Sequence, residues 1–261
     1  MDSTKVVFLT NLADVLIDKV LSYAPDGYEI VVLGKSSTEE NRISEARSAD
    51  FLMCYGNNPS DDVLRSMERC RLVQTLAAGY DSMNLDLITK LGIPLANNGG
   101  ANSWAVSDQA ILLILAIYKQ LLACNTSTRS GRWLEPITGQ NTFELANKKV
   151  GILGIGNIGK QVAKRVQAFD SEVQYHDMNR LDEATEKELN VSYVSLDELF
   201  ETSDIVTCHT PLTKETRHIV NSRRLSMMKS SAILINTSRG PVVDEMALIS
   251  ALMEGEIAAA G

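Results

Sequence analysis

The sequence predicts an α/β fold made of two Rossmann-like or flavodoxin-like domains, each built on a parallel sheet. Short β-rich runs alternate with amphipathic helical stretches in two separate series along the 261 residues. A stretch of turn-forming residues, 96–103, interrupts this alternation between the two series. Alternation of this kind is typical of parallel sheets covered by helices on both faces. We therefore predict one domain over residues 1–100 and a second over residues 101–261.

The composition is that of a globular protein without a nucleic-acid or membrane surface. Hydrophobic residues make up 44% of the chain, and the net charge of −8 disfavours nucleic acids and anionic membranes as partners. The first residues lack the pattern of a signal peptide. The longest strongly apolar stretch, residues 110–118, is too short to span a bilayer. The four cysteines show no CxxC spacing, so we expect no metal site, no disulfide framework and a cytoplasmic setting.

The first series of elements occupies the predicted first domain. Its strands and helices are rich in apolar residues with the expected spacing: strands at Lys5–Thr10, Glu29–Leu33, Ala49–Cys54 and Arg71–Thr75, with helices at Leu12–Ser22 and Ser60–Glu68.

A long apolar helix is predicted from Trp104 to about Thr126, with Ser103 as its N-cap. Its residues are apolar on nearly all sides, so we expect it to be buried against something on each face. A central core helix, a hinge and a subunit contact all fit this pattern. The polar, irregular segment Ser130–Asn147 is predicted to be a loop that crosses to the second domain.

The second series repeats the same architecture. The predicted strands are Lys149–Leu153, Glu172–His176, Asp204–Cys208 and Ala232–Asn236, and the predicted helices are Asn157–Phe169, Leu181–Leu189, Leu196–Thr202, Ser222–Met228 and Asp244–Glu254.

Gly154, Gly156 and Gly159 form a G-x-G-x-x-G pattern between the first strand and the first helix of this second series. The pattern alone is weak, but a strand before it and a helix after it are typical of a dinucleotide-binding turn. Gly154 permits the tight turn, Gly156 lets the backbone approach a pyrophosphate, and Gly159 lets helix and strand pack closely. The helix N-terminus then offers N–H groups to the phosphates. A glycine-rich turn without a ligand is the alternative interpretation.

Asp177 indicates which dinucleotide is bound. It ends the next strand, eighteen residues after Gly159, where a carboxylate binds the ribose hydroxyls of NAD and repels the 2′-phosphate of NADP. Arg180 lies nearby and could accept that phosphate, but a solvated loop arginine is the simpler interpretation. The sequence therefore favours NAD.

Arg239 follows a strand that ends at Asn236, at the edge where open α/β sheets bind ligands. Small residues flank it, and a guanidinium suits a bidentate contact with a carboxylate. An exposed surface arginine is the alternative. Asp244, a few residues later, is predicted to cap the following helix.

Together these motifs resemble the D-isomer-specific 2-hydroxyacid dehydrogenase family, which is NAD-dependent and includes phosphoglycerate, D-lactate and glyoxylate/hydroxypyruvate enzymes. The resemblance runs nearly end to end. It rests on residues 77–81 (AAGYD), 102–106 (NSWAV), the glycine motif, Asp177, residues 208–213 (CHTPLT), residues 236–240 (NTSRG) and the Val243-Asp244 pair.

The resemblance implies a role for each matching residue. Arg239 would hold the substrate carboxylate and polarise the carbonyl, and backbone N–H groups at Ala78 and Gly79 would meet the same carboxylate. Asn157 and Ile158 would bind the pyrophosphate and Asp177 the ribose, while Thr210, Pro211 and Thr237 would line the cofactor. The helix from Trp104 would form a homodimer.

The family completes its active site with a glutamate and a histidine that follow the segment matching residues 257–261. We therefore expect a C-terminally truncated chain whose first domain lacks its return segment and whose NAD domain is incomplete, with an unpaired sheet edge and exposed apolar surface. His209 is the best local histidine, but the family places it beside the cofactor.

The predicted function is that of an NAD-dependent oxidoreductase that interconverts a small 2-oxo acid and a D-2-hydroxy acid. For the 261-residue form we expect NADH binding without appreciable turnover. The alternatives are an NAD(H)-binding regulatory protein, similar to corepressors that share this fold, and an inactive truncated form.

Overall fold

The computed structural model describes residues 3–133 and 142–261. It divides into two compact units, Met1–Ala101 and Asn102–Gly261, and each unit is built on one sheet of parallel strands. The predicted α/β fold class is therefore confirmed.

The first unit carries a five-stranded sheet in the order β2-β1-β3-β4-β5. Its elements are β1 (Thr4–Thr10), α1 (Asp14–Leu21), β2 (Tyr28–Leu33), α2 (Glu39–Arg47), β3 (Phe51–Tyr55), α3 (Asp61–Ser66), β4 (Leu72–Thr75), α4 (Leu85–Leu91) and β5 (Leu95–Ala96). The four predicted strands lie where the sequence placed them, to within two residues. The predictions missed α2, α4 and β5, and α2 was missed because it buries only Ala46 and has no apolar stripe.

Apolar surface is exposed on α1. None of its residues is buried, and Val15 and Leu16 are 73% and 50% exposed.

The second unit carries a six-stranded sheet in the order β11-β10-β9-β6-β7-β8. Its elements are α5 (Ser103–Tyr118), α6 (Leu121–Arg129), β6 (Lys149–Leu153), α7 (Asn157–Gln167), β7 (Glu172–His176), α8 (Glu183–Leu189), β8 (Ser192–Tyr193), α9 (Leu196–Thr202), β9 (Ile205–Cys208), α10 (Ser222–Met227), β10 (Ile233–Asn236), α11 (Glu245–Glu254) and β11 (Ala259–Ala260). Adjacent strands β6, β7, β9 and β10 are buried, and β11 forms one edge of the sheet.

The single long helix predicted from Trp104 to Thr126 is wrong, because the chain forms two helices there. Gln120 adopts a left-handed backbone conformation with φ of 48°, and α5 and α6 meet at a bend of 65°. Ser103 is the first helical residue rather than the cap, and Asn102 before it makes no side-chain cap hydrogen bond. Within α5, Ala110 and Ile114 are fully buried, and the helix packs against α7 and β10.

Within the described ranges, no single helix is both long enough and apolar enough to cross a membrane, although α5 and α6 taken as a bent pair pass that test by length and composition. The predicted loop Ser130–Asn147 falls partly on residues 134–141, which lie outside the described residues.

Candidate functional site

Gly154 and Gly156 lie in the turn from β6 into α7, and Gly159 lies in the first turn of α7. Backbone contacts explain why Gly154 and Gly159 are glycines. Gly154 has φ of +96°, and a Cβ there would lie 2.9 Å from backbone atoms of His209 and Thr210. At Gly159 a Cβ would collide with the carbonyl oxygen of Gly154. Both positions therefore require glycine for the turn to pack as it does.

Gly156 differs from its two neighbours. A Cβ built on it would meet nothing within 4 Å, so the fold itself leaves open space there. Gly156 is the residue before α7, and no described side chain caps the N-terminus of this helix. A helix N-terminus without such a cap presents N–H groups and a partial positive charge to an anion. Asn157 and Ile158, the predicted pyrophosphate ligands, are the first two residues of this helix.

Asp177 follows β7 directly and reaches back to the glycine turn. Its Oδ2 accepts a hydrogen bond from the backbone N–H of Ile155 at 2.9 Å, and its Oδ1 accepts one from Asn179 N–H at 2.9 Å. The carboxylate thus lies against the glycine turn. Its bond to Ile155 is a backbone role that the sequence did not reveal.

The carboxyl ends of β9 and β10 are joined through His209. Its Nε2 lies 2.9 Å from Thr207 Oγ1, and its Nδ1 lies 3.2 Å from Oγ1 of Thr237, one of the predicted cofactor residues. Burial lowers the pKa of His209 from 6.5 to about 4, so the ring is neutral at pH 7. A neutral imidazole can donate through one nitrogen and accept through the other, which suits its two hydroxyl partners.

Thr210 carries a buried hydroxyl that has no hydrogen-bond partner within residues 3–133 and 142–261. Leaving such a group unsatisfied costs about 1–3 kcal/mol, so it favours a ligand that brings a polar atom to this point. Next to it, the Pro211 carbonyl accepts a hydrogen bond from the Thr216 hydroxyl at 2.6 Å, which fixes the loop. A dinucleotide, rich in hydroxyl and phosphate oxygens, fits the open space at Gly156 and the unpartnered Thr210.

Arg239 lies in a loop that Asn236 organises. Asn236 Nδ2 donates to the carbonyl of Arg239 at 3.0 Å, and its Oδ1 accepts from Ser238 N–H at 3.0 Å. The guanidinium is partly buried, and its Nη1 donates to the Ser238 carbonyl at 2.9 Å. It therefore lies at the carboxyl edge of β10, as predicted.

Ala78 and Gly79 belong to the first unit, where they follow the carboxyl end of β4. The Ala78 carbonyl accepts a hydrogen bond from Asn97 Nδ2 at 2.7 Å, which ties this loop to the segment after β5. The structure thus brings the predicted cofactor residues and Arg239 together on one edge of the second unit's sheet, and it places Ala78 and Gly79 on a corresponding edge of the first.

None of the chain's three histidines forms an ion pair with a carboxylate among the described residues. His176 Nδ1 lies 3.0 Å from the Val194 carbonyl, and its ring stacks near Tyr193. His218 has φ of 51° and donates its backbone N–H to Pro241. In the described part of the chain, no histidine therefore has the carboxylate partner that orients a general acid/base histidine.

Comparison with known proteins identifies the resemblance. A family model described as the D-isomer specific 2-hydroxyacid dehydrogenase NAD binding domain matches residues 111–261. A glyoxylate reductase of Aeropyrum pernix is 40% identical over 227 residues, which cover 85% of this chain and 68% of that protein. The chain thus spans about two thirds of that relative's length.

Two solved structures share the fold. D-Lactate dehydrogenase from Aquifex aeolicus, complexed with NAD and lactic acid, is 28% identical with a TM-score of 0.83, covering 98% of this chain and 75% of that one. An acyclic imino acid reductase (Bsp5), in complex with NADPH and D-Arg, is 27% identical with a TM-score of 0.84, covering 98% and 81%.

Proposed function

We propose residue roles for this chain from the premise that it belongs to the D-isomer-specific 2-hydroxyacid dehydrogenase family. The chain is an NAD-dependent oxidoreductase of the class that interconverts 2-oxo acids and 2-hydroxy acids. When bound, the nicotinamide supplies or accepts the hydride. The protein's own residues bind the two reactants, orient them and stabilise charge.

The cofactor half of the site comprises the turn, α7 and the ends of β7, β9 and β10. Backbone N–H groups of Asn157 and Ile158 bind the pyrophosphate, and Asp177 accepts hydrogen bonds from the ribose hydroxyls. Thr210, Pro211 and Thr237 line the remaining length of the dinucleotide. The observation that carries this proposal is the Asp177 carboxylate, which lies 2.9 Å from Ile155 N–H in the glycine turn.

The substrate half depends on Arg239. Its guanidinium holds the carboxylate of a small 2-oxo acid and stabilises negative charge that develops on the carbonyl oxygen during hydride transfer. The family resemblance also assigns a substrate-binding role to the backbone N–H groups at Ala78 and Gly79 in the first unit. Because a relative that is 40% identical is a glyoxylate reductase, glyoxylate is the first substrate to test.

We expect the 261-residue chain to bind NADH but to turn over slowly or not at all. Its three histidines lack carboxylate partners in the described structure, and His209 is neutral and tied to two threonines. NADH fluorescence titration measures binding, and absorbance at the NADH band measures turnover with glyoxylate, hydroxypyruvate, pyruvate and phosphohydroxypyruvate. Failure to bind NADH would refute the proposed site. Rapid turnover would show that another group moves the proton.

We also propose that the chain is a cytoplasmic homodimer formed through α5 and α6. Trp104 and Leu122 on these helices are 64% and 78% exposed, which supports an apolar interface. All four cysteines are free thiols, which supports a reducing, cytoplasmic setting. Leu122→Asp should convert the dimer to a monomer in light-scattering chromatography, because an interface buries such apolar side chains. Met253→Asp, at an equally exposed residue of α11, is the matched control. A monomeric wild-type chain, or its recovery outside the cytoplasm on fractionation, would contradict the proposal.

A further inference from the structure

Arg180 lies three residues after Asp177, in the segment that follows β7. Asp177, the proposed ribose ligand, accepts a hydrogen bond from Asn179 N–H, and Arg180 is the next residue along the chain. In dinucleotide-binding folds, an arginine that follows this strand end accommodates the 2′-phosphate of NADP. The chain therefore carries a cation of the kind that accommodates a 2′-phosphate.

Glu186 on α8 already engages that guanidinium. Arg180 Nε donates to Glu186 Oε1 at 2.9 Å, and its Nη2 donates to Oε2 at 3.0 Å, which is a bidentate pair. The guanidinium also lies over the ring of Tyr193, 5.1 Å from its centroid. These contacts fix the arginine more firmly than a single exposed ion pair would.

The sheet fixes Glu186 in turn. The hydroxyl of Tyr175, a fully buried residue of β7, donates to Glu186 Oε1 at 2.6 Å and accepts from Leu181 N–H at 2.9 Å. The Glu186 side chain is only 13% exposed, whereas that of Arg180 is 57% exposed. Hydrogen bonds from Arg180 and Tyr175 lower the pKa of Glu186, which keeps it charged. Arg180 therefore pairs with a carboxylate that the buried Tyr175 hydroxyl holds in place.

We propose that Glu186 is a specificity-determining residue that holds Arg180 away from the adenine ribose and so strengthens the preference for NAD over NADP. This inference rests on the proposed dinucleotide site at Asp177. Asp177 repels the 2′-phosphate directly, and Glu186 acts through Arg180 by occupying the donors that the phosphate would need. The similar fold of the imino acid reductase is known with NADPH bound, so an architecture of this kind accommodates the extra phosphate.

The test measures dissociation constants for NADH and NADPH by calorimetry and compares their ratio among variants. Glu186→Gln removes the charge but keeps an oxygen for the Tyr175 hydroxyl. Glu188→Gln is the matched control, because it makes the same charge change at an exposed position of the same helix. Use of the ratio cancels any general loss of dinucleotide affinity.

Glu186→Gln should shift the ratio towards NADPH about threefold, the range expected from release of a partly exposed ion pair. Asp177→Asn should shift it about tenfold, because a like charge near the phosphate is lost. The shift in this ratio for the double variant should exceed the product of the two single shifts, since both substitutions act on one phosphate site. Addition of Arg180→Met to the double variant should return the ratio to that of Asp177→Asn alone.

Two results would overturn the inference while leaving the proposed function intact. In both results NADH binds the wild-type chain. In the first, Glu186→Gln and Glu188→Gln give the same ratio of NADH to NADPH dissociation constants. In the second, Arg180→Met fails to reverse the gain in NADPH affinity of the double variant. A wild-type chain that binds neither dinucleotide would refute the proposed site and the inference with it. Thermal melts of each variant check that the fold is retained.

Discussion

Gly159→Ala is expected to lower the free energy of unfolding of the second unit by about 3 kcal/mol, at the upper end of the usual cost of overpacking. A Cβ at this position would collide with the Gly154 carbonyl oxygen and would lie 3.1 Å from Ile152 Cγ2. The obstacle is backbone in a tight turn, so neither side can yield by a rotamer change. The turn or α7 must shift, and both pack on the core of the sheet.

Chemical denaturation followed by circular dichroism measures this loss. Gly240→Ala is the matched control in the same unit, because a Cβ there meets nothing within 4 Å and its φ is not positive. We expect the control to change stability by less than about 0.5 kcal/mol. Equal unfolding curves for the two variants would mean that the turn tolerates a methyl group at residue 159.

Gly156→Ala should show the opposite behaviour: an unchanged fold and a loss of NADH affinity of about 100-fold. Open space surrounds Gly156 in the free protein, so the added methyl group strains nothing. The same methyl group would keep the pyrophosphate from the N–H groups at the start of α7. Loss of a charge-assisted hydrogen bond is worth about 1.5–3 kcal/mol, and each 1.4 kcal/mol is tenfold in affinity.

NADH titration together with a thermal melt distinguishes this outcome from simple misfolding. Gly240→Ala again serves as the control and should bind NADH with wild-type affinity. Wild-type affinity in Gly156→Ala would mean that the pyrophosphate does not approach the backbone at this turn, and the proposed cofactor site would then be wrong.

Local sequence signals predicted most of the fold. The strands at Lys149–Leu153 and Glu172–His176 have the bounds that were predicted, because each is a short apolar run closed by turn-forming residues. The bend between α5 and α6 could not be predicted, since Gln120 is a good helix former and neither glycine nor proline stands next to it. Likewise α2 has no apolar stripe, and its start is marked only by the Thr38 cap on Asn41.

The candidate site was predictable where a residue acts through its position along the chain. The glycines, Asp177 and Arg239 were found because a strand end or helix start fixes where they lie. The ion pair between Arg180 and Glu186 was not predicted, because it depends on the hydrogen bond from the Tyr175 hydroxyl that positions Glu186. The unpartnered hydroxyl of Thr210 is also a property of packing, which no spacing pattern records.

The hydrogen bond from Ile155 N–H gives Asp177 a second role besides the ribose contact that we propose for it. A substitution at Asp177 would remove the negative charge that we propose repels the 2′-phosphate, and it would also take the hydrogen-bond acceptor from Ile155 N–H. A first substitution at Asp177 is therefore expected to weaken the binding of both NAD and NADP. Descendants that adopt the phosphorylated cofactor should show a second acceptor for the Ile155 N–H, acquired before or together with the change at Asp177.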